Sequence, residues 1–302
     1  MRRFAVDTWH VAAYELGEAT RTRLLQLILL AYLGAIGSGN YVFIRILQEL
    51  EASVAEQMMV PATERPGAML AQVLASGEVL KVLGPFVGTN EAAKALFSEP
   101  LLALWAGGLA MVFLPLLMLF SAAASVASEV RSRSIRYLLC RTGRLEIGLG
   151  KLAGQVLLAC VAAGLGIALS MGMGMTLMVQ QPPVAMLAAL TRHTLLACAY
   201  SLPFAGLGLA ISGLIPSPNG ARAVAAAAYI AMHIGAAILD DYAGPTTMGR
   251  IADIARLFFA STAWQDLWSL DGSVLTGAVG RCVILAVAYY AIGHLRFGTR
   301  DL

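Results

Sequence analysis

The segment SEVRSRSIRYLLCRTGRLEIGLGKLAGQ, residues 128–155, decides how the chain is read. It gathers Arg131, Arg133, Arg136, Arg141, Arg144 and Lys151 into a polypeptide of 302 residues that is 59% hydrophobic and only 13% charged. Apolar runs flank it, 101–127 and 152–179, each long enough to cross the roughly 30 Å hydrocarbon core of a bilayer as a helix. Placing its charged residues in that core, Glu129 and Glu146 included, would cost about 3 kcal/mol apiece, more than the flanking runs offset. The segment is therefore a polar hairpin between two spans. Charge alone is explained equally well by a topology signal, so any function for the hairpin has to rest on more than its cations.

Working outward, further apolar runs at 24–44, 194–215, 221–239 and 274–295 bring the expected spans to six, in keeping with a mean hydropathy of +0.74. The expected fold class is all-α: a polytopic membrane protein forming one transmembrane domain over 1–302. An even number of spans puts both ends on one side. With 1–23, 128–151, 216–222 and 294–302 on the cytoplasmic side, that side holds 13 of the 21 Lys and Arg but only 6 of the 18 acids. The positive-inside tendency then places both termini in the cytoplasm and the chain in the cytoplasmic (inner) membrane as a multi-pass protein. Asp7, Glu15, Glu18 and Arg21 occupy the place of a signal-peptide apolar region, so the first span is expected to be retained.

Between the spans, residues 4–20 put Ala5, Trp9, Ala12, Ala13 and Leu16 on one helical face and Asp7, His10, Tyr14 and Glu18 on another. That pattern fits a cytoplasmic interface helix lying in the membrane surface, or equally a short helix docked on a partner. Residues 47–100 are expected to form an exoplasmic helical segment, broken by Pro61, Pro66, Pro85 and Pro100, with an amphipathic piece at 67–83. Residues 240–272 read as a second exoplasmic or re-entrant segment, its Trp264 and Trp268 suited to the membrane interface. Ala162, Gly166, Ser170 and Gly174 recur every fourth residue in the third span as a ridge for close helix packing. Pro115 and Pro203 are expected to bend spans two and four.

Catalytic and nucleotide-binding signals are missing. The GLGK at 148–151 has Leu145 and Leu152 where a Walker A loop requires Gly and Ser or Thr, and the Gly-x-Gly pairs beginning at Gly164, Gly172 and Gly206 lie inside apolar runs. There is no HExxH or GxSxG, and Cys140, Cys160, Cys198 and Cys282 are scattered without metal-ligand spacing. The chain is not expected to be an enzyme by itself, to hold a metal, or to bind nucleic acid. His233 lies mid-span without an acidic partner in its own span, which favours a packed or cavity-lining residue over a proton relay. With Phe113, Phe120 and Tyr229 it is a candidate for a substrate path.

The hairpin itself carries more than charge. Glu129, Arg133 and Tyr137 follow the second span at helical spacing, with Glu129 placed to pair with Arg133, and Ile135, Leu138 and Leu139 supply an apolar edge before Gly143 as a stop. Such an arrangement suits a docking knob. At these residues the chain resembles the permease subunits of the ABC-2 export family, which show after the second span a Glu, a Gly-Thr step, paired leucines, Pro, Arg and then Gly-Lys. Here Glu129, Ser134, Leu138 with Leu139, Arg144, and Gly150 with Lys151 take those places, while Arg133 stands for the family's Gly and Arg141 for its Pro.

The resemblance extends along most of the chain. It implies a type V exporter-like permease with a coupling helix over 128–146, working with a second permease copy, either identical or a close paralogue, and two ABC ATPase subunits that carry the ATP and Mg. It implies ATPase docking through Glu129, Arg133, Tyr137, Leu138, Arg141, Arg144 and Lys151, with Trp9, Tyr14 and Glu15 on the interface helix. Substrate would then move outward across the membrane. Two other readings stay open: an ion-coupled carrier or channel, which would require a polar cluster facing a cavity, and a membrane platform that anchors a partner complex.

Overall fold

Six helices long and apolar enough to cross a membrane make up most of the chain in the computed structural model, which describes residues 2–61, 65–69, 73, 99–179, 182–242 and 246–298. In order, the described helices are α1 (Arg2–Arg21), α2 (Arg23–Gln57), α3 (Leu101–Ser132), α4 (Ile135–Leu139), α5 (Arg144–Leu177), α6 (Pro183–Leu214), α7 (Pro218–Tyr242), α8 (Thr247–Arg256) and α9 (Gly272–Gly298). No strand occurs among the described residues. The helices α2, α3, α5, α6, α7 and α9 are the six expected spans. The 67–83 piece lies almost wholly outside the described residues.

Several helix starts are written in local chemistry. Pro182 and Pro183 open α6, where a missing N–H costs nothing, and Thr246 accepts the backbone N–H of Gly249 to cap α8. Asp271 accepts the Ser273 N–H at 2.8 Å just ahead of α9. Pro115 and Pro203 both fall within unbroken helical assignments in α3 and α6.

Burial separates the spans into two kinds. The most apolar stretches of α3 and α6 are 72% and 67% buried, against 17% to 33% for the other four. The two form the central pair, and small residues bring them together. A Cβ added to Gly208 would lie 2.7 Å from both the Ala122 Cβ and the Leu119 carbonyl oxygen, and Ser212 Oγ accepts the N–H groups of Val126 and Ala127. On the flank, the α5 ridge of Ala162, Gly166, Ser170 and Gly174 is buried throughout, with Ser170 bonded to Asn40 of α2 at 2.8 Å and Gly166 facing Tyr32.

At the end of the bundle opposite the hairpin, Glu99 pairs with Arg192 and His193 of α6 at 2.5 Å each, although both residues fall inside α6 and not at its margin. Glu99, when ionised, can only accept, so His193 Nε2–H donates. This hydrogen bond is the chief reason the Glu99 carboxyl is held below its usual range; partial burial opposes it, and the His193 and Arg192 charges assist. Trp268 is buried against the His193 ring at 5.1 Å, which corrects its expected place at the membrane interface; Trp264, half-buried, meets Tyr200 edge-on. Arg281 of α9 donates to the carbonyls of Arg256, Leu257 and Phe259, clamping the end of α8 and the turns after it. The segment after α7 is thus anchored to the helices through Trp268 and Arg281, while Ile251, Ile254, Leu257 and Phe258 stay exposed.

Candidate functional site

The hairpin has a different geometry from the one its spacing predicts. α3 stops at Ser132 because Arg133 adopts a left-handed backbone, φ 61°, and the five-residue α4 follows as a separate turn. Left-handed backbone costs an L residue about 1–2 kcal/mol and is glycine's natural place. The resemblance aligned Arg133 with a family glycine, and at this position the backbone is one that glycine adopts without strain. Gly143, expected as a stop, lies after the turn that follows α4 and is the extended N-cap of α5, which begins at Arg144.

Glu129 pairs not with Arg133 but with Lys151, whose Nζ lies 2.8 Å from Glu129 Oε1 and also contacts Glu15 Oε1. Lys151 is completely buried, and Glu15 and Glu129 nearly so. One ammonium and two carboxylates from α1, α3 and α5 therefore meet in the interior, and the Glu15 Oε2 oxygen also accepts from Ser125 at 3.2 Å. An ammonium can sit here only because it is paired twice: an unpaired buried charge would cost several kcal/mol. Glycines let α1 reach the site. A Cβ on Gly150 would stand 2.5 Å from the Val11 Cβ, and one on Gly154 would stand 2.7 Å from the Glu15 Cβ. The face of α1 that packs inward is thus Val11, Ala12 and Glu15, while Trp9 and Tyr14 are exposed, each at 59%.

Ten residues were expected at a docking surface, and the structure divides them. Glu15, Glu129 and Lys151 are turned inward and hold one another, so their burial removes them from the exposed surface of the hairpin. Arg133, Arg141 and Tyr137 are exposed, Tyr137 at 79%, and Leu138 and Arg144 are half-buried. Arg136, one of the six hairpin cations but not among the ten expected docking residues, is exposed as well. Ile135, read as part of the outer apolar edge, is buried instead in a small cluster with Ala122, Val126, Leu209 and Tyr290. It roots α4 onto α3, α6 and α9.

The substrate-path candidates also divide. The Tyr229 and His233 rings meet at a tilt with centroids 4.2 Å apart and both meet Phe204, and His233 Nδ1 bonds to the Tyr229 carbonyl oxygen, so these two are packed in a ring cluster. Phe113 packs against the core and Phe120 is half-buried.

Carboxylate oxygens of Glu15, Glu18 and Glu129 come within 4.8 Å of one another. The Lys151 ammonium already occupies two of the three, so the arrangement is an ion-pair network and not a vacant metal cage. Its field is negative toward α1: Glu18 above all, with burial, Glu129 and Glu15 adding, pushes the Tyr14 phenol above its ordinary range.

A family model for ABC-2 family transporter proteins matches residues 9–302. The chain belongs to that family and is a multi-pass membrane protein of transport. Comparison with individual curated proteins returned no match.

Proposed function

We propose that the chain is the permease subunit of an ATP-driven exporter, with its hairpin and both termini on the cytoplasmic side of the inner membrane. A separate pair of ABC ATPases grips it through Arg133, Arg136, Tyr137, Leu138, Arg141 and Arg144, with Trp9 and Tyr14 of α1 at the edge of the same footprint. A second permease copy completes the transporter, and Mg-ATP is held by the ATPases.

The observation that carries this reading is the buried Glu15–Lys151–Glu129 network directly beneath the exposed cations of the hairpin. An ATPase pushing on a loose loop would dissipate its motion there. A hairpin rooted by Ile135 and tied by Lys151 to both α1 and α3 passes a displacement into the spans as a rigid unit, which is what coupling requires. Two arms test the proposal. Cys140 is exposed in the hairpin, so a membrane-impermeant maleimide should label it in inverted vesicles and not in intact cells, with Cys140→Ser as the control; labelling from outside refutes the orientation. Arg141→Glu and Leu138→Asp should each abolish co-purification of the ATPase, and undiminished association in both removes the docking assignment.

A further inference from the structure

Beside the buried ion-pair network lies a half-open cleft of about 110 Å³, reached from the hairpin end and polar at eight of its ten lining positions. Glu15 and Glu18 of α1, Ser121 and Ser125 of α3, Gln155 of α5 and Arg222 of α7 form its walls. Its polar groups are unfinished. Gln155 is 4% exposed and its Oε1 has no hydrogen-bond partner. Across the cleft, Arg222 Nε is buried without a partner, and its guanidinium makes one long hydrogen bond, Nη1 to Asn219 Oδ1 at 3.4 Å. Buried groups left in this condition are rare in folded proteins, because each one forfeits its bonds to water.

The charges say what would complete them. Lys151 neutralises one of its two carboxylates, so together with Glu18 an excess of negative charge faces one wall, while Arg222 supplies positive charge to the other. A simple anion would meet the carboxylates of Glu15 and Glu18, and a simple cation would leave Arg222 without a counter-charge. We propose that the cleft binds a zwitterionic head, its ammonium on Glu18 and its anionic group on Arg222, with Gln155 accepting from the ammonium between them. Resting on the permease reading above, this makes the cleft the entry site for a substrate bearing ammonium and phosphate together. Phosphoethanolamine has that chemistry, either free in water or as the head of a lipid.

Binding is measured on the purified full-length chain in detergent without any ATPase, so failure of the docking proposal leaves it untouched. The probes are dihexanoyl phosphatidylethanolamine, dihexanoyl phosphatidylglycerol and free phosphoethanolamine. The ethanolamine lipid should bind at least about tenfold more tightly than the glycerol lipid, and Glu18→Gln, Gln155→Leu and Arg222→Gln should each cost about tenfold, the worth of one charge-assisted contact. Glu18 is exposed, so its variant folds and the test survives even if the others do not; Arg222→Lys should retain most of the affinity. Equal binding of free phosphoethanolamine supports a water-soluble source, and binding of the lipid alone supports a bilayer source. Equal affinity for the two lipids, or an unchanged Glu18→Gln variant, overturns the proposal.

Discussion

The two ends of the bundle use charge in opposite ways. At the end opposite the hairpin, charged groups close connections: Glu99 latches the start of α3 to Arg192 and His193, and Arg281 clamps the carbonyls that end α8. At the hairpin end the charges are buried more deeply, with Lys151 between two carboxylates and an unpartnered Gln155 oxygen lining an open cleft. The latch is not fully satisfied either, since His193 Nδ1 is buried without a partner; what sets the hairpin end apart is that its unsatisfied Gln155 oxygen lines an open cleft. A site that moves or binds something keeps open valences and carries their cost.

The comparison breaks most visibly at Lys151. Lys151→Met leaves Glu15 and Glu129 buried with no counter-charge, and loss of one member of such a network costs about 3–5 kcal/mol. A large fall in the thermal unfolding midpoint is expected, partly restored when Glu15→Gln and Glu129→Gln are added, since a fully apolar or neutral replacement removes the stranded charges. An unshifted midpoint in Lys151→Met would mean that the network is not the support described.

The opposite end should respond to acid instead. Because the folded-state Glu99 carboxyl is held below its usual range, its contribution is fully present above the ordinary value of about 4.3 and is lost as pH falls through the lowered one. Thermal stability measured downward through that range should decline in the wild type and decline less in Glu99→Gln, which has no carboxyl to protonate. The smallest effect belongs to Arg133→Gly, which relieves a left-handed backbone worth about 1 kcal/mol and should raise the midpoint slightly; a drop would mean that the Arg133 side chain contributes more to the hairpin than its exposure indicates.

The six spans were legible because an apolar run of about twenty residues has no other stable home. So was the importance of Glu129, Gly150 and Lys151, as members of one family pattern. Their contact was not: Glu129 and Lys151 lie 22 residues apart and Glu15 lies 136 from Lys151, so only packing of α1 on the Gly150 and Gly154 face could bring them together. Spacing favoured a local Glu129–Arg133 pair, and tertiary burial overrode it. Trp268 was misplaced for a similar reason, since an aromatic residue near a span end serves equally as an interface anchor or as filler over a buried histidine. Gln155 and Arg222 carried no local signal at all, because the cleft they line exists only where five helices converge.

The most direct test sets one end against the other in proteoliposomes that contain the chain and its ATPase. ATP hydrolysis stimulated by the permease is measured for Arg141→Glu in the hairpin and for Arg45→Glu, an exposed arginine on α2 toward the opposite end. The account predicts that stimulation is lost with Arg141→Glu and kept with Arg45→Glu. Full stimulation in the Arg141→Glu variant would contradict it.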